Sequence, residues 1–454
     1  MTTMSKLSML QQNAYISIVI KDNGIWTHLA YTDFNAEREY ILSDYTNLDI
    51  LKFRLDDHIF SKEFWFEYFN NLEKIFNWNI VDKNSLAIFT FRNFKCEGDG
   101  ISGIRIMIDD NQMFFDNIFQ SVRDFTNDVA LRVINDQYMQ TLLEGISERL
   151  GYDDLMYIDM DIHDFSIFRV TNIYEKDGTC RKLFTKSKLN RGSDFSVIDS
   201  INDGRFKVFL STDLSDRELI NYWSNFVLDK PLNVREPNIK DILRSYATIL
   251  NYSILTDNRQ KLERFGNIYE KSALIVSGYV PSILGKKLSL LTIIDGLELS
   301  GDIDCFFDVE LRTLSYGKSY VFGADSTDII LTKKEILSNI TKVIIPVVDK
   351  TLNKVIFSGA IESKDISKAD FYVLTPQFGY IELPYHEEKL LIEGQCKNGA
   401  KLPRSKESIS LMSVPEISYY SSILIDGRPR PIVYGPDVYS NKLKTQAWLN
   451  DNKA

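Results

Sequence analysis

The sequence predicts an internally duplicated α/β fold followed by a β-rich C-terminal segment. Three observations carry that expectation. A strand-turn-strand pattern near the start returns after residue 151, helical stretches separate the two copies, and from Thr332 onward short apolar runs are set apart by Gly, Pro, Asn or Asp. The 454 residues exceed one ordinary core, since domains cluster at roughly 100 to 200 residues. With 44% apolar residues, 28 Phe and 23 Tyr, the chain has ample material for buried cores. The expected divisions are 1–150, 151–330 and 331–454.

The opening AYISIVIKDNGIWTHLAY holds two β-rich runs around Asp22, Asn23 and Gly24, whose polar, positive-φ chemistry makes 15–31 a hairpin. FSKEFWFEYFNNLEKIF reads as a helix, LAIFTFRNF as a strand over 86–94, DNIFQSVRDFTNDV as a short amphipathic helix, and the run from Ala130 as a buried strand. Met139, Leu142, Leu143, Ile146 and Leu150 recur at helical spacing and Gly151 follows, so 135–150 is a helix with a glycine stop. DDLMYIDMDIHDFSIFRVTNIYEKDG is again strand, turn and strand, and RKLFTKSKLNRGSDF completes the rerun of the opening pattern. Helical SDRELINYWSNFVLD and a longer helical region ending at Gly266 come next. SALIVSGYVPSIL is an apolar strand that breaks at Gly278 and enters a helix around Pro281, and LSLLTIIDGLELSGDIDCFFD adds a helix and a strand, closing the α/β part near Gly323. The runs KVIIPVVD, KVIFSGAI, FYVLTP, YIELP, KLLIEGQC, SISLMSV and YSSILID read as strands of a sandwich or barrel, and NKLKTQAWLN as a final polar helix.

A formal charge of -10 and a pI near 5.2 argue against nucleic acid or an anionic membrane as the main partner, because both require clustered Lys and Arg. The start, MTTMSKLSMLQQNAY, lacks the apolar core of a signal peptide, and no run approaches the roughly 18 apolar residues of a membrane span, so a cytoplasmic location is expected. Cys96, Cys180, Cys305 and Cys396 lie far apart and read as reduced, mostly packing residues, and His28, His58, His163 and His386 lack the i, i+4 pairing of a metal site. Walker, GxSxG, GxGxxG and HExxH patterns are missing. Trp65, Phe66, Tyr68, Phe69 and Phe76 read as core packing, with a partner-docking surface as the alternative. Arg428-Pro429-Arg430-Pro431 reads as a stiff, ordered, extended loop.

Chemistry is expected at turns. In a duplicated nucleotide-binding fold, phosphates sit between two hairpin turns whose glycines let backbone N–H groups approach the anion, while an Asp holds a metal-bound water. The first turn supplies Asp22 and Gly24, for which a plain hairpin is the alternative. The second, YIDMDIHDFSIFRV, sets Asp159 at a strand end and Asp161, His163 and Asp164 where a phosphate loop carries small residues. Carboxylates this close repel an anion unless a cation neutralises them, so Asp159 and Asp161 are candidate Mg²⁺ ligands, with a solvated Asp-rich turn as the alternative. Ser277 and Gly278 stand where a glycine cluster would receive a nucleoside, and a strand-to-helix turn is the alternative there.

On these stretches the chain resembles the MutL/GlmL family of actin-like ATPases associated with glutamate mutase. YIDMDIHDFSIFRV looks like the family's phosphate hairpin, and ALIVSGYVPSIL like its adenosine strand. LLTIIDGLELSGDIDCFFD looks like the segment after it, and SSILIDGRPRPIVYGPD like the C-terminal signature of longer bacterial members. The resemblance implies a duplicated actin-like (RNase H-like) nucleotide-binding fold, ATP with Mg²⁺ as cofactor, and ATP-dependent support of a cobalamin-dependent mutase. In place of the family's hairpin glycines stand Asp161 and Ile162, and of its adenosine glycines Gly278 remains. A scaffold so altered is expected to bind nucleotide weakly or not at all and to dock a partner protein through its β-rich C-terminal domain. One alternative is an ATP-dependent, chaperone-like reactivator in which Asp159, Asp161 and Asp164 arrange Mg²⁺ and Gly278 receives adenosine. Another is an assembly adaptor similar to FtsA or PilM, against which the lack of an amphipathic basic tail speaks.

Overall fold

The structure is a computed structural model that describes residues 15–21, 24–33, 38–47, 68, 71, 85–90, 128–133, 136–162, 164–175, 177–190, 201, 204–228, 236–257, 271–309, 311–317, 340–348, 353–363, 368–383, 390–402, 408–413, 420–429 and 438–450. Residues 116–127 of the helix expected over 116–129, most of the aromatic stretch at 60–76, Asp22, His163, the helical region beyond residue 257 and Arg430-Pro431 lie outside the described residues, while Asp128 and Val129 of that expected helix are strand. Contacts group the chain into two compact units, Met1–Leu142 with Glu310–Leu331, and Leu143–Val309 with Thr332–Ala454.

In the first unit five strands form one sheet: β1 (Tyr15–Lys21), β2 (Gly24–Asp33), β3 (Arg38–Asn47), β4 (Ser85–Thr90) and β5 (Asp128–Val133). Their order is β3-β2-β1-β4-β5, antiparallel across β3-β2-β1 and parallel across β1-β4-β5. The expected first hairpin is present, with Lys21 paired to Gly24 across its turn. Buried Thr27 on β2 shares a short side-chain hydrogen bond with the Tyr68 hydroxyl.

The second unit repeats this arrangement. After α1 (Asp136–Leu150), whose Met139, Leu142, Leu143 and Ile146 are buried as their spacing requires, come β6 (Asp154–Met160), β7 (Asp164–Tyr174) and β8 (Cys180–Asn190). Then follow α2 (Arg205–Phe209), α3 (Asp216–Leu228), α4 (Pro237–Asp257), β9 (Ser272–Ser277), α5 (Tyr279–Leu297) and β10 (Gly301–Asp308). The order β8-β7-β6-β9-β10 has the same antiparallel and parallel pairings as β3-β2-β1-β4-β5, so the duplication read from the hairpins holds at the level of topology. Every residue of β6 and β9 is buried, as near-continuous apolar strands at the centre of a covered sheet should be.

Local signals place the helices. Ser215 and Glu218 form a reciprocal capping box ahead of α3, with the Ser215 amide donating to Glu218 Oε2 at 2.8 Å and the Glu218 amide to Ser215 Oγ at 3.3 Å. Pro237 opens α4 at the one helical position where its missing N–H costs nothing. Through Met156, Ile158, Met160, Leu274, Val276 and Cys305, one face of the sheet meets Leu243, Ala247, Leu250 and Ile254 of α4 and Leu290, Ile293, Ile294 and Leu297 of α5 in one apolar core. Each Leu, Ile, Val or Met side chain among them contributes about 1.5–3 kcal/mol on burial.

Beyond residue 332 the strands divide between two sheets. β11 (Ile340–Ile345), β14 (Phe378–Glu382) and β17 (Tyr420–Asp426) extend the α/β sheet past β10 in the order β10-β11-β17-β14. β12 (Val355–Ser363), β13 (Ala369–Leu374), β15 (Leu390–Cys396) and β16 (Ser408–Ser413) form a separate antiparallel sheet, β13-β12-β15-β16. The all-β sheet expected at the C-terminus is therefore present, while three neighbouring strands are hydrogen-bonded into the α/β layer. α6 (Val438–Asn450) buries Asn441 and Thr445, and its Gln446 amide donates to the Ser211 carbonyl at 2.6 Å. Among the described residues, no helix is long and apolar enough to cross a membrane.

Candidate functional site

The second unit brings the Asp-rich hairpin and the Ser277-Gly278 turn together, because β6 and β9 are parallel neighbours and end side by side. Asp159 pairs in register with Ser277, and Ser277 with Asp308 at the end of β10. Register partners point to the same face of a sheet, so Asp159, Ser277 and Asp308 form a row across the C-terminal ends of three parallel strands. All three are buried. Tyr157, two residues upstream on the same face, is completely buried, and its hydroxyl pKa is pushed well above the usual phenol value, first by desolvation and then by the charges of Asp159 and Asp308.

Met160 turns to the opposite face and enters the helical core, and the chain then reverses at Asp161 and Ile162. Here the hairpin closes on the start of α5. The backbone N–H of Tyr279 donates to Asp161 Oδ1 at 2.7 Å, and the Tyr246 hydroxyl of α4 donates to the Ile162 carbonyl at 3.0 Å. Gly278 lies between them with φ 105° and ψ 177°, a backbone conformation reserved for glycine. A Cβ there would overlap the Met160 carbonyl oxygen and lie 2.7 Å from the Met160 amide nitrogen. The helical turn that follows is short, since Gly285 at φ 74° interrupts α5. Replacing Gly278 with Ala is therefore expected to cost about 3 kcal/mol of stability, read from urea denaturation, because backbone strain and steric overlap coincide. Unchanged stability would show that turn and hairpin do not touch.

Asp159, Asp161, Ser277 and Gly278 thus converge in the second unit. Asp164 opens β7 opposite Asn190, Gly24 opens β2 in the first unit, and Asp22 lies outside the described residues. Asp159 and Asp161 face different surroundings: Asp159 joins the sheet row with Asp308, whereas Asp161 caps the turn into α5. Among the described residues, no group of three or more His, Cys, Asp or Glu side chains is placed to hold a metal ion. The sequence reading did not single out Asp308 or Tyr157. The signal for Asp308 was an acidic residue closing an apolar strand, the same pattern that marked Asp159.

These residues do not fit a bound polyphosphate. The Tyr279 N–H at the start of α5 already holds the Asp161 carboxylate, and Met160 backbone fills the space beside Gly278. A phosphate charge about 4 Å from a carboxylate would be opposed by roughly 4 kcal/mol at an effective dielectric of about 20.

No protein-family model matches the chain, and no curated protein matches it. Among solved structures it is similar to the ethanolamine utilization protein EutJ from Carboxydothermus hydrogenoformans, at 12% identity over 70% of this chain and 97% of that one, with a TM-score of 0.33. It is similar to an Aquifex aeolicus member of the Ppx/GppA protein family at 10% identity over 59% of this chain and 66% of that one, with a TM-score of 0.26. A non-polymerisable quadruple mutant of pCBH ParM matches at 11% identity over 68% of this chain and 99% of that one, with a TM-score of 0.31. Likenesses this loose carry no weight on function. The duplicated actin-like class of fold stands on a strand order and set of pairing directions that the five-stranded sheet of the first unit shares with five neighbouring strands of the eight-stranded sheet of the second.

Proposed function

We propose that this protein is an actin-like scaffold that binds nucleotide weakly or not at all and acts by docking a partner protein. The observation that carries this reading is the Asp161 carboxylate on the Tyr279 amide, with Gly278 pressed on the Met160 backbone. A loop that must receive phosphate needs free N–H groups and room, and here the Tyr279 N–H and the space beside Gly278 are taken up internally.

A second reading, an ATP- and Mg²⁺-dependent reactivator like the glutamate mutase-associated family, is supported by the buried Asp159-Ser277-Asp308 row. That row lies at the C-terminal ends of parallel strands, where α/β sheets bind ligands. Isothermal titration of the full chain with ATP and Mg²⁺, against ADP and metal-free controls, separates the two. The scaffold reading predicts no binding heat up to millimolar nucleotide; micromolar, metal-dependent binding would replace it with the second.

A further inference from the structure

The outer face of the β13-β12-β15-β16 sheet holds a depression of about 650 Å³. Its shape follows from register. Ala360 on β12 lies between Asp370 on β13 and Glu393 on β15, and Ser358 lies between Tyr372 and Gln395. The middle strand therefore supplies a floor of two small side chains, and the flanking strands supply taller walls. Strands spaced about 4.8 Å apart set those walls roughly 10 Å from each other. Asp370 and Glu393 are exposed, and among the described residues neither forms an ion pair or a side-chain hydrogen bond. Tyr372, one step along the wall from Asp370, is 62% exposed. Among the described residues, Lys397 donates to Gln395 at 2.6 Å, and Lys368, ahead of β13, is the one cation that lines the slot.

We propose that this slot docks an extended, arginine-bearing segment of a partner protein. The inference rests on the reading of the chain as a docking scaffold and names the surface used. A guanidinium is planar and offers donors on two edges, so one group can bridge carboxylates on opposite walls while lying against an aromatic ring. The Ser358-Ala360 floor leaves room for its aliphatic stem, and alternate residues of an extended segment match the two-residue repeat of the walls.

The test titrates the full chain into a fluorescein-labelled peptide of alternating Ser and Arg, with Ser-Gln and Ser-Lys versions as controls, followed by fluorescence anisotropy. The Ser-Arg peptide is expected to bind, the Ser-Lys version several-fold more weakly and the Ser-Gln version not at all. The Asp370→Asn/Glu393→Gln double variant should lose at least tenfold in affinity and Tyr372→Ala a smaller factor. A Glu175→Gln/Asp213→Asn variant, which removes two acidic charges elsewhere, should bind as the parent does. Equal binding by the parent and the slot variant, or an equal loss in the control variant, would overturn the proposal. The Mg²⁺-ATP titration is independent of these side chains, so failure of the slot and failure of the nucleotide reading are told apart.

Discussion

Arg428→Met is expected to lower the stability of the second unit by about 3–5 kcal/mol, seen as a large fall in the urea midpoint, because it strands two carboxylates in the interior. Arg428 is 1% exposed. Its Nε and Nη2 donate to the two oxygens of Asp426 at 2.8 and 2.7 Å, and Nη2 and Nη1 reach Asp295 at 2.6 and 3.3 Å. The guanidinium also lies 5.8 Å from the centroid of the Phe378 ring. One side chain thereby ties the end of β17 to the last turns of α5 and to β14. A companion variant that also changes Asp426 to Leu should recover part of the loss, since the cost lies in an unpaired buried charge more than in the missing pair. If Arg428→Met were as stable as the parent, this junction would not hold the extended sheet together.

The second large effect is expected at Lys342 on β11. Its ammonium pairs with Asp302 and donates to Asp304 at 3.0 Å, and Asp304 also accepts from the hydroxyls of Tyr152 at 2.7 Å and Tyr420 at 3.2 Å. Burial alone would lower the lysine pKa, but Asp304 and Asp302 outweigh it and hold the group above its ordinary value. Burial would raise Asp304, yet the Lys342 charge and the hydrogen bonds it receives hold the carboxyl below the usual range. The signs define a window. The lysine's contribution is present below its unfolded pKa, near 10.4, and is lost as pH rises through the higher folded value; the carboxylate's is present above about 3.9 and is lost as pH falls through its lower folded value. Lys342→Met should cost about 3–5 kcal/mol at neutral pH. Without the cation, burial and Asp302 push Asp304 upward, so the folded variant takes up a proton and its deficit shrinks as pH falls into the carboxylate range. Urea midpoints measured across that range check the prediction; a deficit independent of pH would contradict it.

Much of the fold was legible because local pattern and global topology agree. The two hairpins and the helix ending at Gly151 are local features, and their repetition gave the duplication. β3 was not read, since REYILSDYTN mixes charged and apolar residues without a marked alternation and lies at a sheet edge. The break at Gly285 was hidden in an apolar run, where an isolated glycine is ambiguous. Beyond residue 332 each strand was visible, but the sheet it joins depends on pairings distant in sequence. The difference shows in burial and not in the residue pattern: ITKVII of β11 is continuously buried despite Thr341 and Lys342, as in a covered sheet, whereas ADFYVL of β13 is buried mainly at alternate positions, as on a half-solvated one. Arg428 read as part of an extended loop because its partners lie 133 positions away at Asp295 and two away at Asp426.

The candidate site was legible in its parts and not in its arrangement. Asp159, Asp161, Ser277 and Gly278 were marked by type and position, and parallel pairing of β6 with β9 brings them together. That Asp161 would turn to the Tyr279 amide depends on the hairpin's approach to α5, which no spacing in the sequence encodes.

Amide hydrogen exchange at Tyr279, with and without millimolar Mg²⁺-ATP, tests most directly whether the hairpin and the turn are closed on each other. A loop that satisfies itself predicts a slowly exchanging Tyr279 amide, released in Asp161→Ala and unchanged by nucleotide. Fast exchange in the parent protein, or protection at residues 160–162 and 277–279 that appears on adding Mg²⁺-ATP, would contradict it.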